Sequence, residues 1–235
     1  MSNESDYRTS GAEIVIVTAY FVVYLGYLFI HQESELHHWA SLIVIPLIGL
    51  WILRGRPPLR QLLASIGLER GKLLHGLRWP ILVGLAIQVV QLMNSSNRAA
   101  LGEILGSSWG WIVPVVTLPL LMITVGPTEE VFFRGIVQGR FSDALKSDWA
   151  GIAIATVGFI LYHVPYAYLN PNWPSAGDLG HAVQLAAMNG LPGGLLLGWI
   201  YVKSDRNLVA VILLHAMIDW IPGAILVSQV KFGGG

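Results

Sequence analysis

The sequence contains no cysteine and few charged residues. Without cysteine the chain cannot form a disulfide, use a thiolate as a nucleophile or bind zinc through sulfur. Charged residues make up 12% of its 235 residues and hydrophobic residues 54%, whereas a soluble domain carries about 25% charged residues. Basic and acidic residues are equal in number, so there is no excess of positive charge that would bind nucleic acid. This composition predicts an integral membrane protein whose main partner is the lipid bilayer.

Seven apolar runs approach or reach the roughly 20 residues that cross a bilayer core. They lie near residues 12–30, 38–53, 79–93, 109–127, 149–167, 181–202 and 207–228. No polar linker divides them, so we predict a single all-α membrane domain over residues 1–235. Its fold class would be a polytopic bundle of about seven transmembrane helices, or eight if one span is partial or re-entrant. Gly193, Gly194 and Gly198 in the sixth run favour close packing between helices.

The basic residues predict how the chain is oriented in the membrane. With seven alternating spans, one side holds Arg8, the six basic residues from Arg54 to Arg78, Arg134, Arg140, Lys146, Lys203 and Arg206. The other side holds only Arg98 and Lys231. Because basic loops tend to stay in the cytoplasm, we expect a cytoplasmic N-terminus and a C-terminus outside.

Residues 54–78 form the basic segment between the second and third spans. A helix here would carry four apolar side chains on one face, those of Leu59, Leu62, Leu63 and Ile66. Such a face is typical of a short amphipathic helix that lies at the cytoplasmic interface of the membrane. A solvated basic loop explains the same composition, and the sequence alone favours neither.

Two adjacent carboxylates, Glu129 and Glu130, follow fifteen residues without a formal charge, 111–125. A charged side chain at bilayer depth costs roughly 3 kcal/mol on insertion scales, so such residues usually mark a functional site. Glu130 and Arg134 are four residues apart and can pair on one helix face, whereas Glu129 points about 100° away. The pair could be a purely structural ion pair, and Glu129 would then be free for chemistry.

Two further segments place polar groups in apolar runs, one helical turn apart. The first contains Phe159 and His163, and the second contains His215 and Asp219. An imidazole and a carboxylate at this spacing can share a hydrogen bond or a metal ion. Taken singly, each could be a residue at the membrane boundary. Three such segments in one small bundle favour a shared polar cavity inside the membrane.

Together these segments resemble the CPBP family of intramembrane proteases, which includes the type II CAAX prenyl proteases and the bacterial Abi proteins. The family's motifs are Glu-Glu-x-x-x-Arg, Phe-x-x-x-His and His-x-x-x-Asn or Asp. Their matches in this chain, in order, are Glu129, Glu130 and Arg134; Phe159 and His163; His215 and Asp219. The resemblance covers residues of about 110–220, which we identify as the family-like catalytic core.

The resemblance implies hydrolysis of peptide bonds in a membrane-associated peptide or protein, such as a CAAX-type C-terminus or a peptide precursor. The site would be a polar cavity reached from the cytoplasmic side. Glu129 and His163 would activate the attacking water, and His215 and Asp219 would stabilise the oxyanion or help to hold a metal. The supporting residues would be Glu130, Arg134 and Phe159.

Asp219 departs from the asparagine that many family members carry at this position. An aspartate donates a hydrogen bond only when it is protonated. A direct role for Asp219 in stabilising an oxyanion is therefore weakened, and a role as a metal ligand or in orienting His215 is favoured.

Zinc dependence and two other functions stay open at this point. A catalytic zinc takes about three protein ligands and one open position, and Glu129, His163 and His215 could supply the ligands. The same residues would also serve a metal-free mechanism that relies on the glutamate. A proton-coupled transporter could use intramembrane Glu and His as well, although the short chain lacks the inverted repeats of many transporters. A catalytically inactive scaffold or immunity protein is the remaining alternative.

The predicted site sets one geometric condition. With alternating spans Glu129 falls at the cytoplasmic end of the fourth span, whereas His163 lies ~20 Å from that side at 1.5 Å per residue. The two can meet only if the helix that carries Glu129 continues through the membrane toward Arg140. We predict that it does, with a bend or restart at residues 126–127 and with Thr128 as the cap.

Overall fold

The computed structural model describes residues 9–31, 35–108 and 110–229. Arg8 and Lys231, which were counted in the orientation above, lie outside these ranges. Every regular element in the described part of the chain is a helix, which confirms the all-α prediction. The elements are α1 Gly11–Leu28, α2 Glu35–Trp39, π1 Ala40–Val44, α3 Ile45–Leu53, α4 Leu59–Ala64, α5 Arg78–Met93, α6 Ser95–Gly106, α7 Ile112–Ile123, α8 Val125–Glu130, π2 Val131–Gln138, α9 Gly139–Leu145, α10 Asp148–Leu169, α11 Leu179–Lys203, α12 Leu208–Ile218 and α13 Trp220–Gln229.

Four helices in the described residues are long and apolar enough to cross a membrane: Gly11–Leu28, Ile112–Leu145, Asp148–Leu169 and Leu179–Lys203. The number rises to six if each of two bent pairs is one span, α5 with α6 (bent by 97°) and α12 with α13 (56°). His37–Leu53 is a shorter apolar helix. Each of the seven predicted runs corresponds to helix, but the predicted count of seven or eight membrane-spanning helices is not confirmed.

The outer faces of the long helices carry large apolar side chains. Val23 on α1, Val90 on α5 and Val115 on α7 are 72%, 65% and 60% exposed. Continuous apolar surface of this kind is rare on a soluble monomer and is expected where helices contact lipid tails. Together with the long apolar helices, it supports an integral membrane protein.

The bundle has two ends that differ in charge. One end carries most of the basic residues, and we call it the basic end. There the turn between α9 and α10 meets the turn between α11 and α12, and Arg206 joins them through ion pairs with Asp143 and Asp148 at 2.6 and 3.0 Å. At the other end, which we call the far end, α1 and α10 finish side by side, with the rings of Phe29 and Tyr168 in contact.

Residues 54–78 pack onto the basic end. A short helix does form, α4, but Leu62 and Ile66 are buried in the protein core, and Leu59 is the exposed member of the predicted apolar face. The following turns are held by Asn207, whose Nδ2 lies within hydrogen-bond distance of three turn carbonyls, those of Lys72, Leu73 and His75. The segment is therefore largely a packed cap on the bundle.

The helix that carries Glu129 continues to Leu145 as predicted, but it restarts earlier than residues 126–127. The backbone of Thr124 is non-helical, with φ −115° and ψ −94°, and α8 begins at Val125. The position follows from Pro127, which has no N–H for the carbonyl of Ile123 four residues earlier and whose ring would clash with it. Thr128 is not the cap, because its hydroxyl donates to the carbonyls of Thr124 and Val125.

Arg134 and Arg140 lie inside the bundle. Their inclusion in the count of cytoplasmic basic residues was therefore wrong. Arg134 is completely buried and Arg140 is 2% exposed. Arg140 donates to the carbonyl of Ser65 at 2.7 Å and lies 3.7 Å from the carboxylate of Glu13. Both residues are partnered within the protein, so they do not contribute to the charge of a loop.

The tight contact between α10 and α11 depends on Gly194. A Cβ at this position would lie 2.6 Å from Cγ2 of Thr156, whereas a Cβ at Gly193 would meet nothing within 4 Å. The predicted close approach thus holds for Gly194, and for Gly198 against Gln138 and Ile152, but not for Gly193.

These neighbouring glycines provide a matched test of packing. We expect Gly194→Ala to lower the free energy of unfolding by about 1–3 kcal/mol, because threonine is stiff and the extra methyl overpacks the contact. Gly193→Ala should leave it unchanged or raise it by up to about 1 kcal/mol, because alanine favours a helix. Denaturant unfolding of both variants in detergent micelles checks this, and equal losses would contradict it.

Candidate active site

Glu129 and His163 lie level with each other because they sit on antiparallel helices joined by a tight turn. Glu129 is sixteen residues before Leu145, where α9 ends, and His163 is fifteen residues after Asp148, where α10 begins. Both therefore lie about 22–24 Å from the turn at 1.5 Å per residue. Because the helix that carries Glu129 is continuous to Leu145, Glu129 and His163 do not differ in depth as the model of alternating spans had predicted.

His215 reaches the same level although it is only seven residues into α12. This helix begins deep in the bundle, beside π2, where Leu208 is fully buried and its amide donates to the carbonyl of Gly67 at 3.0 Å. Gly135 on π2 permits the approach, since a Cβ there would lie 3.0 Å from the carbonyl oxygen of Ile66 and 3.6 Å from Leu208. The packed segment after α4 fills the space below.

The eight residues that follow Glu130 form a π-helix, π2, and all of them are buried. Two of its side chains, one turn apart, bind backbone carbonyls of α11. Arg134 Nη2 donates to Gly194 at 3.4 Å, and Gln138 Nε2 donates to Gly198 at 3.0 Å. Segments of π-helix are rare and often occur at functional sites. Here π2 is fixed to α11 directly after the two glutamates.

Glu130, Arg134 and His215 form a buried hydrogen-bonded unit. Arg134 Nη1 donates to Glu130 Oε1 at 2.8 Å, and both side chains are completely buried. Nδ1 of His215 donates to the same oxygen at 2.6 Å. Oε1 of Glu130 thus accepts from two donors, and the supporting role of this residue stays a prediction.

Glu129 faces two imidazoles without bonding directly to either. Its Oε1 is 4.0 Å from Nε2 of His163, and its Oε2 is 3.8 Å from Nε2 of His215. Nδ1 of His163 lies 2.7 Å from the carbonyl oxygen of Phe159. Since a carbonyl only accepts, Nδ1 carries the hydrogen and Nε2 of a neutral His163 is an acceptor directed toward Glu129.

Asp219 lies beside Nε2 of His215, the same nitrogen that faces Glu129. Its Oδ2 is 3.3 Å from Nε2 of the ring, and its side chain is 40% exposed. Both nitrogens of His215 therefore face carboxylates, Glu130 at Nδ1 and Asp219 at Nε2. A ring protonated at both nitrogens meets both acceptors, and Asp219 is placed to orient it.

The ring of Phe159 packs against His163, His215 and Arg134. Its ring centroid is 4.5 Å from that of His163 and 6.2 Å from that of His215. The guanidinium of Arg134 lies over the same ring at 4.7 Å, a favourable cation–π geometry. The structure therefore brings all seven predicted site residues into one cluster.

A cavity of about 240 Å³ opens beside Glu129 and His163. Its remaining walls are His38, Val125, Thr128, Tyr162, Tyr166, Asn170 and Trp173. His38 hydrogen-bonds to the hydroxyl of Tyr166 across the cavity. Through this cavity a ligand from outside the bundle can reach Glu129.

The comparisons with known proteins address the same segment. Residues 109–221 match the model of one protein family, described as type II CAAX prenyl endopeptidase Rce1-like. Over these residues the chain is similar to the Rce1-like family. The matched residues include the whole predicted motif set, so the resemblance seen in the sequence is confirmed. No curated protein and no solved structure matches the chain.

Several residues of the candidate site were not found by sequence reasoning. Gln138 could have been suspected, because it lies one turn after Arg134 in an apolar segment. The cavity residues Tyr162, Tyr166 and Trp173 carried no such signal, since aromatic residues in apolar helices are usually core residues. His38 lies outside the matched residues and comes to the cavity only through the packing of the chain before α3.

The predicted zinc ligands do not form a metal site as they stand. Within the described ranges, no group of three or more His, Asp or Glu side chains is placed to hold a metal ion. Nε2 of His215 lies closer to Asp219, at 3.3 Å, than to Glu129, at 3.8 Å. No step is therefore derived through a metal, and zinc binding stays a prediction.

Proposed function

We propose that the chain is an intramembrane endopeptidase that hydrolyses peptide bonds of membrane-associated substrates through a water activated by Glu129 and His163. The observation that carries the proposal is the gap between these two side chains. A carboxylate oxygen and an imidazole acceptor face each other at 4.0 Å on the wall of an open cavity.

A water molecule bridging this gap would donate one hydrogen to Glu129 and the other to His163. Two hydrogen bonds of about 2.8 Å at the angle between a water's hydrogens span about 4.4 Å, close to the separation observed. Both hydrogens are then held, and a lone pair of the oxygen is left free to attack. General-base catalysis of this kind is typically worth about 10²–10⁴ in rate.

The hydrolysis can be completed by residues of the cluster. As the water oxygen bonds to the scissile carbon, Glu129 takes its proton and the carbonyl oxygen becomes an oxyanion. His215 Nε2 lies between Glu129, at 3.8 Å, and Asp219, at 3.3 Å, and would turn its hydrogen from Asp219 to that oxyanion; one such donor is worth about 3 kcal/mol. When the C–N bond breaks, Glu129 returns the proton to the leaving amine.

Asp219 and Glu130 would keep His215 ready for this role. With Nδ1 bound to Glu130 and Nε2 near Asp219, the ring is held in one orientation by two carboxylates. Asp219 then acts through His215 and need not donate to the oxyanion itself, in agreement with its departure from asparagine.

The proposed substrates are a CAAX-type C-terminus, which the family description names, or a membrane-bound peptide precursor, which the resemblance in the sequence implies. The test compares purified wild type with Glu129→Ala and His163→Ala for cleavage of such peptides in lipid vesicles. Wild-type cleavage by both variants would show that the base is assigned wrongly. Absence of cleavage by any form would favour the scaffold alternative.

Metal dependence is tested separately. We expect activity to survive chelation, because the cluster supplies a base and an oxyanion donor without a metal and no three-ligand group is present in the described part of the chain. The measurement is zinc content and cleavage rate before and after treatment with a chelator. A loss of activity that zinc restores would support the zinc alternative, with Glu129, His163 and His215 as ligands.

A further inference from the structure

The basic residues and the catalytic cavity lie at opposite ends of the bundle. In the part of the chain that the structure describes, nine basic residues belong to the basic end: Arg54, Arg56, Arg60, Arg70, Lys72, Arg78, Lys146, Lys203 and Arg206. Arg98, after the end of α5, is the single described basic residue at the far end. Removing the buried Arg134 and Arg140 from the count leaves this asymmetry intact.

The cavity is shallow when measured from the far end. His163 lies six residues before Leu169, where α10 finishes, or about 9 Å at the helical rise, against about 22 Å from the basic end. Asn170 and Trp173, in the loop that follows α10, form part of its wall. Nothing from the packed basic segment of residues 54–78 contributes to it.

A second cavity continues from the first along the far end. It has a volume of about 360 Å³ and shares Tyr166 and Asn170 with the catalytic cavity. Its other walls come from the end of α1, with Leu28 and His31, and from the loop after α10. Because the two cavities share these wall residues, we take them as one groove that leads from Glu129 toward the far-end surface.

Basic loops tend to stay in the cytoplasm, which would place the basic end on the cytoplasmic side. We propose that the catalytic groove opens on the non-cytoplasmic side and that the substrates are membrane-anchored peptides whose scissile bond lies within about 10 Å of that surface. The substrate class rests on the proposed peptidase function, whereas the side of opening does not. It is the reverse of the cytoplasmic access that the family resemblance implied.

A C-terminal tail displayed in the cytoplasm, as a prenylated CAAX sequence would be, could not reach Glu129 in this orientation. The substrate that fits is a precursor with a membrane-spanning segment and a cleavage site just beyond its non-cytoplasmic end. The cavity wall is largely aromatic, with Tyr162, Tyr166 and Trp173, and would accept apolar residues next to the scissile bond.

The absence of cysteine makes the orientation directly measurable. Gly71→Cys at the basic end and Ala176→Cys in the loop after α10 introduce one exposed thiol each, at positions that line neither cavity. A membrane-impermeant maleimide should label Ala176→Cys at least ten times faster in right-side-out vesicles than in inside-out vesicles, and Gly71→Cys the reverse. Both thiols should react in detergent. The opposite pattern, or equal labelling from both sides, would overturn the proposal.

Two single-span model substrates then test the substrate class. They carry the same cleavage sequence, one just outside the non-cytoplasmic end of the span and one just outside the cytoplasmic end. Wild type should cleave the first at least tenfold faster, and preference for the second would overturn the class. If the labelling is as expected and neither substrate of a broad panel is cleaved, the peptidase function fails while the orientation stands.

Discussion

Glu129→Gln is expected to lower the rate of peptide cleavage by about 10²–10⁴-fold, the usual contribution of a general base. Glutamine preserves the size of the side chain, but its amide cannot take the proton of the attacking water. The other groups of the site, His163 and His215, do not bond directly to Glu129. The fold should therefore tolerate the change, and the loss should appear in kcat with little change in KM.

The matched control is Glu103→Gln, the same substitution at an exposed position on α6. It should keep the wild-type rate, and all three forms should have the same thermal unfolding midpoint within a few degrees. The measurement is the initial rate of cleavage of one membrane peptide in vesicles of fixed composition. A Glu129→Gln protein that is folded and as fast as wild type would rule out Glu129 as the base.

The motif residues could be predicted because ionisable side chains are rare in apolar helices. Glu129, His163 and His215 are groups that a membrane span excludes unless they have a partner or a role. Their spacing of one turn from Arg134, Phe159 and Asp219 suggested which side chains share a face. The structure then shows the contacts, but the roles of these residues in catalysis stay proposals.

What could not be predicted depends on backbone geometry and long-range packing. An apolar, fully buried segment has the same pattern in an α-helix and in a π-helix, so π2 left no signature around Arg134. The restart at Thr124 follows from Pro127, which cannot donate a hydrogen bond to the carbonyl of Ile123 and whose ring would clash with it. The depth of α12 depends on the packing of residues 54–78 beneath it, which no local pattern reveals.

Charge counting was informative about the ends of the bundle but not about individual residues. Arg134 and Arg140 were assigned to the cytoplasmic side because the fourth apolar run ends near residue 127. The helix extends to Leu145 instead, and both arginines are buried with partners. A basic residue indicates a loop only when no acidic partner is within reach inside the bundle.

Arg134→Met is expected to lower the free energy of unfolding by about 3–5 kcal/mol, the usual cost of removing one member of a buried ion pair. The guanidinium is fully buried and binds Glu130 at 2.8 Å. Methionine fills much of the volume but leaves Glu130 as a buried carboxylate with His215 as its remaining partner. Arg60→Met, on the exposed surface of α4, is the control and should change stability by about 0.5 kcal/mol or less.

The double variant Glu130→Met with Arg134→Met separates a lost attraction from a stranded charge. If most of the cost comes from the unpaired Glu130 carboxylate, the double variant should be more stable than the sum of the two single losses predicts, by about 1–3 kcal/mol. Denaturant unfolding in detergent micelles measures all four members of the cycle. Strict additivity, or an Arg134→Met protein as stable as the Arg60→Met control, would show that this pair does not hold the site together. Retention of the fold in the double variant would also allow cleavage to be measured with His215 deprived of its Nδ1 acceptor, which isolates the contribution of its orientation from that of stability.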